Sequence, residues 1–281
     1  MCTSPITRPD RAVIKCGQCI ECRLAYSREW AIRITHEQQM HDASCMLNLT
    51  YDDDHLPPYG QLVKEDLQKF FKRLRKAGFK FKYVASGEYG EKTRRPHFHI
   101  ALFGVDFNDS RRVWGRSSSG DLTYVSNVVS AYWYQGQHLI GTLNFESAAY
   151  IARYILKKQK GPDAVRTPLA FLGDGELVLP NHEFLLASKG IGRSWFREYL
   201  MSDVFPHASV ITQQGTKAPV PRFYKSLLKE VGEDLALDMS FRSTVRSEAD
   251  FERNMFENSA HRRDARRIVS AAKAALSRKS I

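Results

Sequence analysis

Pro96-His97-Phe98-His99-Ile100-Ala101-Leu102-Phe103 reads as a β-strand, opened by a proline, built of aromatic and apolar residues and stopped by Gly104. Successive side chains on a strand point to opposite faces. His97 and His99 therefore project together from one face, and Phe98, Ile100 and Leu102 line the other. Two imidazoles held in parallel on a rigid element are a ready pair of metal ligands. The same pattern also suits a structural zinc site or two hydrogen-bonded sheet histidines. Upstream, Tyr83-Val84-Ala85-Ser86-Gly87-Glu88 reads as a second strand and the polar run 90–95 as a turn, so 81–88 and 97–103 form a hairpin.

About fifty residues further on lies Tyr150-Ile151-Ala152-Arg153-Tyr154-Ile155-Leu156-Lys157-Lys158. As a helix it advances about 100° per residue, which places Tyr154 about 40°, Lys157 about −20° and Lys158 about 80° from Tyr150. Ala148, Ile151, Ala152, Ile155 and Leu156 gather on the opposite side. The apolar side packs on a domain, and two tyrosines and two lysines share the polar face; core tyrosines would fall inside the apolar arc.

A phenol is a weak nucleophile at neutral pH, with a reference pKa of about 10, and becomes competent when a cation assists loss of its proton. Beside a metal site its natural electrophile is a phosphodiester, whose scissile phosphate a divalent ion polarises. The histidine–hydrophobe–histidine strand followed by a tyrosine helix resembles the HUH endonucleases that start rolling-circle replication. The two-tyrosine form with Lys157-Lys158 is similar to the replication initiators of microviruses. Cys16-Gly17-Gln18-Cys19-Ile20-Glu21-Cys22-Arg23, Ser27-Arg28-Glu29-Trp30, Leu49-Thr50-Tyr51-Asp52, Gly190-Ile191-Gly192-Arg193 and Pro221-Arg222-Phe223-Tyr224 resemble the gokushovirus branch. The likeness runs over roughly residues 1–225.

The resemblance implies a metal-dependent, site-specific DNA endonuclease and strand transferase. Tyr150 or Tyr154 attacks, a 5′-phosphotyrosine link and a 3′-hydroxyl primer form, and Lys157 and Lys158 assist deprotonation or hold the phosphate. It also implies a third metal ligand shortly before the histidine strand. Glu88, at a strand end, is better fixed than Glu91 in the loop, although Glu88 could instead cap the turn or pair with Arg94 or Arg95. Glu88, His97 and His99 with open positions suit Mg²⁺ or Mn²⁺, manganese being the more tolerant of nitrogen ligands. An HUH transposase or relaxase shares this chemistry; a non-catalytic, zinc-containing nucleic-acid-binding module is the alternative of another class.

The 281 residues are 43% hydrophobic, with 16 Phe and 12 Tyr, enough for a sizeable core, and carry a net charge of +11 that fits a phosphate-rich partner. Single-stranded and circular DNA are the expected partners. There is no G-x-x-x-x-G-K-[ST] loop, so helicase and polymerase would be separate proteins of the host. No apolar run reaches 18 residues and no leader opens the chain. The resemblance places the protein in the cytoplasm of an infected bacterium.

Five cysteines are an odd count for a disulfide framework. Cys16, Cys19 and Cys22 have the spacing of converging thiolates, and Cys2 is the natural fourth ligand of a structural zinc. An iron–sulfur cluster and free thiols are the alternatives. Cys45 reads as a buried residue of a core strand over 45–51. His36 and His41 stand five apart and cannot share one helix face.

The expected fold is α+β: an antiparallel sheet of about five strands flanked by helices, a ferredoxin- or RRM-like palm. A cysteine-rich arm and helix occupy 1–44, the endonuclease core 45–160, and a hairpin appendage with a basic helical extension 161–281. Within the last, 247–279 reads as one polar helix carrying Arg262, Arg263, Arg266 and Arg267.

Overall fold

The computed structural model describes residues 2–10, 13–90, 92–117, 120–157, 170–171, 177–212, 215–253 and 255–279. The chain divides into two units, Ile34–Gly192 and Met1–Arg33 together with Arg193–Ile281.

The first of these is built on a seven-stranded antiparallel sheet. Its strands are β1 (Ser44–Thr50), β2 (Lys82–Tyr89), β3 (Pro96–Phe103), β4 (Arg111–Arg116), β5 (Leu122–Ser126), β6 (His138–Gly141) and β7 (Phe184–Ala187), in the order β7-β2-β3-β1-β6-β5-β4. The expected antiparallel sheet flanked by helices is present and is wider than five strands. The β4–β5 hairpin extends one side, and β7 extends the other. Phe184 of β7 lies against Gly87, where a Cβ would come 2.6 Å from the ring, so glycine is what lets the aromatic ring lie flat on β2.

One sheet face carries the core. Cys45, Leu47 and Leu49 of β1 alternate with less buried residues, and with Phe98, Ile100 and Leu102 of β3 they pack under the helix Lys64–Lys76. That helix buries Leu67, Phe70, Phe71 and Leu74, the i, i+3, i+4, i+7 stripe of an amphipathic helix. Each such side chain contributes about 1.5–3 kcal/mol on burial. Trp133 closes the layer and donates Nε1–H to the Thr50 carbonyl at 3.0 Å. Arg73, on the helix's outer face, donates to the Tyr132 carbonyl at 2.8 Å and covers the Tyr134 ring, which commits it to packing. Burial pushes the Cys45 thiol up to about 12.

The helix Ile20–Gln38 ends on a buried carboxylate. Glu37 accepts from Lys82 Nζ at 2.7 Å, pairs with His41 Nε2 at 2.9 Å and accepts the Gly192 backbone N–H at 2.6 Å. The Gly190–Gly192 motif is thus structural, since the Gly192 amide closes the charge network of Glu37. The neighbouring His36 is buried on the same helix.

In the other unit the family-like motifs meet one another. Arg222 Nε donates to Glu29 at 3.2 Å, and the Arg33 guanidinium stands 4.2 Å from the rings of both Trp30 and Phe223. Tyr224, Trp195, Phe196 and Leu228 are buried beneath them. The single helix expected over 247–279 is instead two, Glu233–Arg253 and Ala260–Lys279. Ser259 Oγ caps the second by accepting the Arg262 N–H at 3.4 Å, and Arg262 binds Glu257 at 2.9 Å, so a cap restarts the helix where periodicity alone reads through. The short strands Ala170–Phe171 and Leu177–Val178 pair antiparallel, as a hairpin over 168–186 requires, and the turn at 173–175 lies outside the described residues.

Burial holds His36 neutral, down to about 3. The unfolded chain takes that proton near pH 6.5. Stability is therefore complete above pH 6.5 and falls by about 1.4 kcal/mol per unit below it until the folded histidine titrates. Burial shifts His138 in the same direction. Urea denaturation should show the protein losing about 2 kcal/mol between pH 7 and pH 5, and His36→Gln should flatten that slope; an unchanged slope in the variant contradicts the assignment.

Candidate metal and nucleophile site

The face of the sheet opposite the core carries the polar residues. In the register of β2, β3 and β1, Glu88 stands opposite His97, Ser86 opposite His99, and Asn48 opposite His99 from the other side. Because β-sheet side chains alternate, this one register brings Glu88, His97, His99 and Asn48 to a common face.

The distances are those of a ligand set. Glu88 Oε1 lies 2.8 Å from His97 Nε2 and 2.7 Å from His99 Nε2. The ligand atoms of all three residues fall within 4.8 Å of one another. Such separations approach the edge of an octahedron with metal–ligand bonds of about 2.1 Å. His99 Nδ1–H donates to Asn48 Oδ1 at 2.6 Å, and His97 Nδ1–H donates to the Arg95 carbonyl at 3.1 Å. Both rings therefore turn Nε2 toward the carboxylate, and a positive charge, proton or metal ion, is what holds the three groups together. Arg95 is itself clamped by Asp53 at 2.6 Å and by the Tyr51 carbonyl at 3.0 Å, which fixes the carbonyl that orients His97. These are the outer contacts that set imidazole orientation in metal sites.

Glu88 and His99 are buried; His97 is partly exposed. Burial alone would raise the Glu88 carboxyl, but the bonds from His97 and His99 outweigh it and hold the group down at about 2. It is a carboxylate at any working pH. Glu91, the rival ligand, lies outside the described residues.

The helix Phe145–Lys157 packs on β2, β3 and β7. Ala148, Ile151 and Ala152 are its buried residues, and Tyr150 is half-buried with its hydroxyl 3.4 Å from His99 Nε2 and its ring centroid 4.8 Å from that of His99. A phenol oxygen thus sits beside the very nitrogen that would ligate an ion. Tyr154 and Lys157 belong to the same helix, but their side chains, and Lys158 altogether, lie outside the described residues. The cysteine arm holds a second cluster, in which the sulfurs of Cys2, Cys16, Cys19 and Cys22 also lie within 4.8 Å of one another.

Sequence reasoning missed Asn48. Its only trace is a lone amide alternating with Leu47 and Leu49 in an otherwise apolar strand, and its role depends on a strand pairing that periodicity does not specify. Tyr51 and Asp52 turn out to be structural. The Tyr51 hydroxyl donates to Asp66 at 3.1 Å, and Asp52 accepts the His55 backbone N–H at 2.9 Å in a turn.

Comparison with known proteins bears on the same region. The family model for replication-associated proteins of the ORF2 type matches residues 44–159, the stretch from β1 to the tyrosine helix. The chain is 34% identical over 224 residues to the replication-associated protein VP4 of Bdellovibrio phage phiMH2K, covering 76% of this chain and 67% of that one. It is 33% identical over 235 residues to the replication-associated protein ORF2 of Spiroplasma virus 4, covering 79% and 69%. With the replication-associated protein ORF4 of Chlamydia phage 1 it shares 29% over 243 residues, covering 83% and 58%. No solved structure matches.

Removing the orienting amide should loosen the ligand set without removing a ligand. Calorimetric titration with Mn²⁺ should show Asn48→Ala binding about 10- to 100-fold more weakly than the parent, with Asn48→Asp, which keeps the acceptor, close to it. Equal affinities for Asn48→Ala and the parent would rule out the orienting role.

Proposed function

We propose that this chain, which belongs to the replication-associated proteins of the microviruses, is the nicking and rejoining enzyme that starts rolling-circle replication of a circular phage DNA. The observation that carries this reading is the Tyr150 hydroxyl 3.4 Å from His99 Nε2, beside the Glu88 carboxylate. A nucleophile and a cation-binding set are close enough to engage one phosphodiester.

Glu88, His97 and His99 hold Mg²⁺ or Mn²⁺. When bound, the ion polarises the scissile phosphate and offsets charge on the leaving oxygen. Asn48 and the Arg95 carbonyl keep both imidazoles aimed at that position. The half-buried Tyr150 presents its oxygen from the facing helix, while Lys157 and Lys158 on the same helix lower the cost of the phenolate. The phenolate oxygen bonds to phosphorus as the bond from phosphorus to the 3′-oxygen breaks. The 3′-oxygen takes a proton from water and becomes the primer end, and the 5′ end stays on the tyrosine. Tyr154, one helical turn or about 6 Å along, serves the second transfer. In rejoining, a 3′-hydroxyl attacks the phosphotyrosine and releases the phenol. Single-stranded and circular DNA is the partner, and helicase and polymerase are supplied separately. The reaction takes place in the cytoplasm of the infected bacterium. Among the described residues no helix is long and apolar enough to cross a membrane.

The site residues make distinct demands. With Mn²⁺ and single-stranded oligonucleotides tiling the replicon that encodes this chain, the parent should form a protein–DNA adduct that survives denaturing gels. Tyr150→Phe combined with Tyr154→Phe should form none. His97→Ala should lose about 10²- to 10³-fold in nicking rate, the several kcal/mol of a phosphate-polarising ion, while retaining DNA affinity in a mobility-shift assay. An adduct persisting in the double tyrosine variant would place the nucleophile elsewhere.

A further inference from the structure

The four thiols of Cys2, Cys16, Cys19 and Cys22 stand in an arrangement that hydrogen bonding alone does not explain. Cys2 Sγ lies 3.6 Å from Cys16 Sγ and 3.8 Å from Cys19 Sγ. A disulfide needs about 2.05 Å. A tetrahedron of sulfurs around an ion at about 2.3 Å has an edge of about 3.8 Å, and all four sulfurs fall within 4.8 Å of one another.

The backbone adds a second, independent sign. The amides of Gln18 and Cys19 point at Cys16 Sγ, at 3.4 and 3.2 Å, and the amide of Cys16 points at Cys2 Sγ at 3.4 Å. Three N–H donors directed at two sulfurs suit thiolates, which accept strongly, far better than thiols, which accept weakly. Gly17, at φ +74°, makes the tight turn that aims them.

The arm also requires a fastening. Its ribbon pairs only Ile6–Thr7 with Val13–Ile14, and Ile6, Val13 and Ile14 are exposed, so the ribbon has no core of its own. An isolated two-stranded ribbon is marginal in water. Cys19 and Cys22 lie at the start of the helix Ile20–Gln38, and Cys2 and Cys16 lie on either side of the ribbon. An ion gripping all four joins the ribbon to the first turn of the helix.

We propose that Cys2, Cys16, Cys19 and Cys22 bind one Zn²⁺ as a closed, structural tetrathiolate that pins the N-terminal ribbon. All four positions around the ion are filled by sulfur, which leaves no open position for substrate and separates this site from the Glu88, His97 and His99 set.

The test uses the full chain and needs no nicking assay. Purified protein should retain one zinc per chain after dialysis. Replacement by Co²⁺ should give the intense visible bands and sulfur-to-metal charge transfer of a tetrahedral tetrathiolate. Zinc should persist in the His97→Ala, His99→Ala double variant and be lost in Cys16→Ser combined with Cys19→Ser. On the parent itself, chelator treatment should open residues 2–18 to limited proteolysis. Stoichiometric iron with acid-labile sulfide, a disulfide among these cysteines, cobalt spectra lacking thiolate charge transfer, or four freely titrating thiols in metal-free protein would each overturn the assignment.

Discussion

The site depends on the register of three neighbouring strands. Glu88 faces His97 and Asn48 faces His99 only because β2, β3 and β1 are paired as they are. A slip of one residue would send Glu88 or Asn48 to the core face and bring an apolar side chain out in its place. The core on the other face fixes that register. Leu47, Leu49, Phe98 and Ile100 are fully buried under Phe70, Phe71 and Trp133, and exposing any of them by a slip would forfeit their burial. The packing of the apolar face thus determines the position of the ligands on the polar face.

A second layer of control lies in the hydrogen bonds behind the ligands. Two rings at 90° to one another with centroids 4.9 Å apart turn the same nitrogen inward because different oxygens hold their outer nitrogens. One of those oxygens belongs to a backbone carbonyl held by the Arg95–Asp53 pair; the other belongs to a strand amide. The two metal-binding clusters differ in kind. The glutamate–histidine set sits on a sheet whose core would hold it in shape without an ion, whereas the cysteine cluster sits on a ribbon with exposed apolar residues.

The alternation of His97 and His99 with Phe98 and Ile100 was legible because a strand period of two leaves one answer, and the side of the helix that carries Tyr150 was legible for the same reason at period 3.6. The choice of Glu88 over Glu91 rested on the better fixing of a strand end. What the sequence concealed is whatever depends on pairing between distant segments. Asn48 acquires meaning only opposite His99, fifty-one positions away. The β4–β5 hairpin is short and largely exposed, so its periodicity is faint, and the break before Ala260 comes from a serine cap inside an uninterrupted helical pattern. Motifs that resembled the family most closely, Glu29-Trp30 and Arg222-Phe223, proved to be partners in packing, which no linear reading distinguishes from chemistry.

The central claim is that His97 and His99 bind one cation together through their inward nitrogens. Electron spin echo spectroscopy of the Mn²⁺-loaded protein measures this directly, because each ligated imidazole modulates the manganese echo through its nitrogen. The account predicts modulation from two imidazole nitrogens, reduced to one by His97→Ala or by His99→Ala alone. A manganese echo free of nitrogen modulation, or one that neither substitution alters, would contradict it.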